Sequence, residues 1–357
     1  MTSAKNLLLQ TLKHLGVFAL CRALTRRRPR ILCYHGGSIG DESEFNAKLF
    51  YPRGLLEQRL LWLQRKGFVP AGLDDLDPAS VRAASGTPVV ITLDDGWYSS
   101  ATDLLPVLAQ HGHRPVLYLA TNVFMQGTPV LDVSIRYILW KSALATVVLM
   151  DLDENLDGAY DLGKTADRAR LCDLAEQWLA PWLHDVPRIH TMLETLAAAL
   201  GVSANELDLP SRRFSYMRRD ELIAAAAAGC RIELHGHAHL YAPGKAAQNR
   251  QDILACRQHI VNAGLPYPRH YCYPSGEYDA EAAQLMREID IATATTCIPG
   301  LVDPNRDEER AFLPRFLDGG SISMIEFEAE MSGTLAMIRK ITGRAVDPVP
   351  TRQAPEA

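Results

Sequence analysis

Val89-Val-Ile-Thr-Leu-Asp-Asp-Gly96 decides how this chain is read. Its first five residues are apolar or β-branched without alternation, the pattern of a strand covered on both faces. A helical pattern follows from Ala101 to His111, then a second buried run, Pro115-Val-Leu-Tyr-Leu-Ala120. Strand, helix, strand at this spacing is a parallel unit, because a parallel neighbour is reached only through a crossover. The rhythm recurs on both sides. Upstream, Ile31 to Tyr34 reads as a strand and Leu55 to Arg65 as a helix closed by Gly67. Downstream come helix Asp220 to Ala228, strand Cys230 to Leu234, helix Ala246 to Ala263 and strand His270 to Tyr273. Helix Asp279 to Ile289 and strand Ile291 to Thr295 complete the series. The expectation is an α/β fold around a parallel sheet, open or closed into a barrel.

The rhythm breaks between about 127 and 213. Val130 to Met150 and Asp167 to Leu200 read as mostly helical, joined by the acidic stretch Asp151 to Asp157, so an α-helical insertion is expected there. Insertions at the C-terminal ends of barrel strands commonly shape the substrate site. The proline-rich segment Val346 to Ala357 reads as a disordered tail.

The chain has 357 residues, 47% of them hydrophobic, and a formal charge of −5. That length buries a core without staples. Seven scattered cysteines with no Cys-x-x-Cys pair exclude a zinc ribbon, and they favour a reducing compartment over a disulfide scaffold. The charge is unevenly divided. Lys5, Lys13, Arg22, Arg26, Arg27, Arg28 and Arg30 give the first 30 residues +7 with no acid, and leave −12 for the rest. An acidic body argues against a nucleic-acid partner, which needs a basic groove. Leu8, Leu12, Leu15, Phe18 and Leu24 recur at helical spacing, so residues 1–29 read as a basic amphipathic helix, suited either to an anionic membrane surface or to packing on the domain with its arginines in solvent. No stretch approaches the roughly 20 apolar residues of a membrane span.

Three constellations follow strands. In Thr92-Leu-Asp-Asp-Gly96 two adjacent carboxylates end a strand; alternation points them to opposite faces unless the chain turns, which Gly96 permits. Two carboxylates in one site would push their pKa values apart. In His235-Gly-His-Ala-His239 two imidazoles four apart share a face on a helical turn, a common way to hold a divalent ion. An aspartate with two histidines makes an oxygen and two nitrogen ligands with positions left open, which is a catalytic rather than a closed structural set. In Cys272-Tyr-Pro-Ser-Gly-Glu-Tyr278 a turn at a strand end presents backbone N–H groups, as an oxyanion site needs; an ordinary turn reads the same.

Together these stretches resemble the polysaccharide deacetylase (NodB-homology) family, carbohydrate esterase family four. Thr92 to Gly96 is similar to its Thr-Phe-Asp-Asp-Gly motif with Leu93 for Phe, and His235 to His239 to its His-x-x-x-His motif. Cys272 to Gly276 stands where the family has an Arg-x-Pro-Tyr-Gly segment, and Ile31 to His35 resembles its opening strand ending in Tyr-His. The resemblance covers roughly 30 to 320, apart from the insertion. It implies a distorted (β/α) barrel of about seven parallel strands over 30–345, and hydrolysis of N-acetyl groups on a cell-surface, exopolysaccharide or lipid-linked glycan. Asp95, His235 and His239 would hold the ion, zinc or alternatively cobalt or nickel. Asp94 would be the general base, and a backbone N–H near Ser275 would receive the oxyanion.

Two departures stand out. The family's arginine that orients the base is Cys272 here, and Arg315, in Leu313-Pro-Arg-Phe316, is the candidate to supply that charge. Many members carry a late Leu-x-His that protonates the leaving amine, yet the last histidine is His270. Another acid is then needed; His35, Asp94 once it has taken a proton, and a metal-bound water are the candidates. A glycan-binding barrel without turnover and an amidase acting on a non-sugar amide are the alternatives. Gly36-Gly-Ser-Ile-Gly40 matches a serine-hydrolase elbow in letters but is followed by a loop-like segment. Trp140, Trp178 and Trp182 are candidates to stack on sugars or to pack helices. The acidic body and basic helix imply a cytoplasmic protein peripheral to the inner membrane face.

Overall fold

The computed structural model describes residues 4–122 and 127–350. Eight strands build the central sheet: β1 (Arg30–Tyr34), β2 (Phe68–Pro70), β3 (Thr87–Asp95), β4 (Val116–Leu119), β5 (Arg231–Leu234), β6 (His270–Cys272), β7 (Thr293–Thr295) and β8 (Phe316–Leu317). The order is β7-β6-β5-β4-β3-β1-β8, with β2 beside β3, and every pairing is parallel. The sheet curls until one segment bridges its two ends. Leu313 N–H donates to Ala294 O (2.8 Å) and Leu313 O accepts from Thr296 N–H (2.9 Å) on the β7 side. Three residues on, β8 pairs Leu32 with Phe316. The distorted barrel of seven main strands is therefore the fold of this chain.

The buried runs of the sequence split by parity. Leu32, Ile91, Leu93, Leu117, Leu119 and Tyr271 face outward into a core with the surrounding helices, including Leu56, Leu60 and Leu63 of Arg53–Arg65 and Ile253 and Ile260 of Ala246–Asn262. Ile31, Val90, Val116, Tyr118 and Cys272 belong to a separate inner cluster. Because side chains alternate along a strand, the inner row of β3 runs Val90, Thr92, Asp94 and that of β1 runs Ile31, Cys33, then His35 just beyond. The barrel is thus apolar at its N-terminal end and polar where the strands finish, the end at which barrel enzymes place their sites.

The region 127–213 builds its own core around Leu131, Ile135, Ile138, Leu171, Leu193 and Phe214. Its longer helices are Leu131–Lys141, Thr165–Leu179 and Val186–Ala199. One expectation fails here. Thr146–Leu149 is a strand paired antiparallel with Gly158–Asp161, not helix. The acidic stretch is the hairpin loop, tied by the Asp157 carboxylate, which accepts from the N–H groups of Asp151 and Leu152. β-branched Thr146, Val147 and Val148 carried that signal.

The N-terminus also departs from a single helix. Ala4–His14 and Val17–Leu24 are bent by 73° at Gly16, whose φ of 78° a glycine adopts without strain. The tail is not free from residue 346 onward: Tyr278 OH donates to Pro348 O, and Arg306 pairs with Asp347. Residues 351–357 lie outside the described ones.

Candidate active site

Asp94 and Asp95 reach one region because the chain turns at Asp95 itself, not only at Gly96. Their φ angles are 75° and 96°, so two successive residues are left-handed. Such backbone is costly for a non-glycine and is found where the surroundings enforce it. The turn swings Asp95 back toward the barrel axis that Asp94 already faces. Asp95 Oδ1 then lies 3.5 Å from His235 Nε2 and 3.3 Å from His239 Nε2. Trp97 Nε1–H donates to the other oxygen, Oδ2, at 3.1 Å.

The histidine loop is equally constrained. His235 Nδ1 lies 2.9 Å from the Cys272 carbonyl, which can only accept, so Nδ1 carries the proton and Nε2 offers its lone pair toward Asp95. His239 has a φ of 55°, which brings its half-exposed ring back over Asp95. Asp252, on the helix Ala246–Asn262, clamps the loop: its carboxylate accepts from the N–H groups of His237 and Ala238, both at 2.8 Å. A Cβ on Gly236 would stand 2.7 Å from that carboxylate. His237 points elsewhere, 3.0 Å from Thr121 Oγ1 and stacked on His259.

Arg315 enters from the closing segment and is wholly buried. Its Nη1 and Nη2 donate to Asp94 Oδ1 and Oδ2 at 2.8 and 2.9 Å. Thr296 O and Thr92 Oγ1 fix the rest of the guanidinium at 3.0 and 3.1 Å, and Cys272 Sγ accepts from Nη2. Burial, the largest single influence, raises the Asp94 pKa, but the charge and hydrogen bonds of Arg315 together with the charges of His235 and His35 outweigh it and hold it at about 2. His35 follows β1 into the same space, with Cys33, His35 and Asp94 donor atoms within 4.8 Å of one another.

A cavity of about 780 Å³ opens over this point, lined by Asp95, Trp97, His239 and Tyr216 on the barrel side and by Val133, Glu176 and Leu183 of the insertion. Asp94 lies deeper, 3% exposed. The structure therefore gathers Asp94, Asp95, His235, His239, His35 and Arg315. Ser275 is not among the cavity's lining residues. Its φ of 55° in the turn Pro274–Gly276 leaves it exposed, and what this segment gives the site is the Cys272 carbonyl. None of Trp140, Trp178 and Trp182 lines the cavity either; Trp178 and Trp182 pack on the insertion core and Trp140 on Phe45 and Tyr137. Ser38, of the elbow-like sequence, bonds Glu42 and Gly40 O in a loop.

The donor set fits a divalent ion. Two imidazole nitrogens, one with its tautomer fixed by a carbonyl, and one carboxylate oxygen converge, and the second carboxylate oxygen is tied back by Trp97.

The sequence model of the polysaccharide deacetylase family matches residues 197–294, a stretch holding the histidine loop and the Cys272 turn. The chain resembles the polysaccharide deacetylases. Solved structures agree in fold. A Streptococcus pyogenes deacetylase in complex with acetate superposes with a TM-score of 0.53 at 12% identity, covering 86% of this chain and 99% of that one. A de-N-acetylase from Aggregatibacter actinomycetemcomitans gives 0.50 at 11%, covering 85% and 99%, and a polysaccharide deacetylase from Bacillus cereus gives 0.50 at 11%, covering 86% and 69%. No curated protein matches. Asp94, Asp95 and Arg315 lie outside the matched stretch of the deacetylase family model, so their place in the site rests on geometry.

Proposed function

We propose that the chain hydrolyses N-acetyl groups on a glycan, with a divalent ion, zinc or alternatively cobalt or nickel, held by Asp95, His235 and His239. The observation that carries this reading is the convergence of those three side chains beside a buried carboxylate, Asp94, beneath a cavity that Asp95 and His239 line. Bound there, a divalent ion supplies Lewis acidity toward the amide oxygen and toward water. Asp94 accepts the proton of the attacking water at a carboxylate oxygen. Arg315 keeps that carboxylate ionised and fixes its plane through two parallel hydrogen bonds. His35 delivers a proton to the departing amine nitrogen. The cavity between Trp97 and the insertion holds the sugar and limits water. The backbone N–H near Ser275 is the candidate to receive the oxyanion.

A binding module without turnover would not need Arg315 spent inside the barrel on Asp94, and this favours the enzyme reading over that alternative. The acetate held by the Streptococcus pyogenes structure, a product of such hydrolysis, is consistent with it. The test is acetate release from N-acetylated oligosaccharides and from a simple acylated amine, before and after chelation. Release from the oligosaccharide that chelation abolishes and metal restores supports the proposal; release only from the simple amide favours the amidase.

A further inference from the structure

The two N-terminal helices carry apolar residues on both sides, and the body uses only one of them. Leu9 and Phe18 are buried with Ala329 of the helix Met324–Met331, and Leu12 packs against them. Lys5 and Lys13 pair with Glu326 and Glu328 on the same side. The opposite side holds Leu7, Leu8, Leu15, Leu20 and Leu24, between 58% and 74% exposed. The 100° helical rotation groups Leu7 and Leu8 on the outer face of the first helix and Leu20 and Leu24 on that of the second, with Leu15 exposed in the turn between them. Five exposed leucines in 24 residues exceed the scattered surface apolars of a soluble protein.

We propose that this outer face docks on an anionic lipid surface. What selects lipid is charge. The segment 4–30 has no acidic residue, and the exposed Arg26 and Arg27, just after Leu24, have no carboxylate partner among the described residues, since they donate only to the carbonyls of residues 81–85. Lys340 adds a further cation where Leu24 meets the helix Thr334–Ile341, next to the exposed Ile341. Leucines beside arginines whose charge no carboxylate neutralises match acyl chains beneath anionic headgroups. No single described helix is long and apolar enough to cross a membrane; the two reach that length and apolarity only together, across a 73° bend. Arg26 and Arg27 reach residues leading into β3 from its N-terminal end. Docked through Leu20 to Arg27, the chain therefore holds its cavity at the far end of a nine-residue strand, about 30 Å away.

The test is sedimentation of the full chain with vesicles of phosphatidylcholine alone or with phosphatidylglycerol, beside a Leu8→Glu, Leu20→Glu, Leu24→Glu variant. Acetate release from a soluble oligosaccharide reports that the variant folds. Binding to the anionic vesicles, weakened at least about tenfold by the variant and by high salt, supports the proposal. Absence of binding by the unaltered chain overturns it. So does binding that the variant leaves unchanged, or self-association in analytical ultracentrifugation that the variant abolishes, which would make the face a contact between copies.

Discussion

Arg315 grips Asp94 with both terminal nitrogens inside the barrel, Nη1 to Oδ1 at 2.8 Å and Nη2 to Oδ2 at 2.9 Å. The pair joins the closing segment to the end of β3. Removing one partner of such a pair strands the other in a poor solvent, at a cost of about 3–5 kcal/mol.

Arg315→Met should therefore lower the melting temperature and change the pH profile. With the cation present, the Asp94 carboxyl sits at about 2, below its unfolded value near 4. The pair's stabilisation is complete above pH 4 and fades only as pH falls through 2. Without Arg315, burial is opposed only by the charges of His235 and His35, so the Asp94 pKa rises and the acid limb of kcat/KM moves upward in the variant. Arg315→Lys should recover part of the rate, restoring charge without the two-pronged geometry. An acid limb that does not move contradicts the pairing's role.

His235→Ala and His239→Ala should each lose bound metal together with activity. Metal content per chain, measured by elemental analysis after dialysis, checks this. Wild-type metal content in both variants would mean the ligands have been misassigned.

Asp252 is outside the ligand set but holds the loop carrying it. Asp252→Ala should weaken metal affinity by about 10- to 100-fold, the usual effect of removing a supporting hydrogen bond, and saturating metal should restore most of kcat. A variant that binds metal normally would reduce the clamp to ordinary helix packing.

His35→Gln should slow hydrolysis most where the departing amine is most basic. A loss of about 10²–10⁴ in kcat on a sugar amide, shrinking on an acylated nitroaniline, is the outcome expected of a lost proton donor. An equal loss on both substrates would remove His35 from that role.

The parallel fold was legible because strands buried on both faces read as unbroken apolar runs, as in Val89 to Leu93. The convergence of Asp94, His235 and Arg315 was legible only in part. Period two points Asp94 inward, but nothing local says that Asp95 turns left-handed, or that Arg315 arrives opposite Asp94 through a segment joining both sheet edges. Trp97 was adjacent to its motif and went unread. Asp252 lies 13 residues beyond His239 on a helix, where no spacing rule links it to the loop. At the N-terminus, the spacing of Leu8, Leu12, Leu15, Phe18 and Leu24 suggested one face; the Gly16 bend sends Leu12 and Phe18 to the body and Leu8, Leu15 and Leu24 to solvent.

The most direct test is Asp94→Asn, with metal content and acetate release from an N-acetylated oligosaccharide measured on one preparation. Asparagine keeps the shape and removes the proton acceptor. The account predicts wild-type metal content with acetate release reduced at least about 100-fold. Wild-type acetate release from the metal-loaded variant would contradict it.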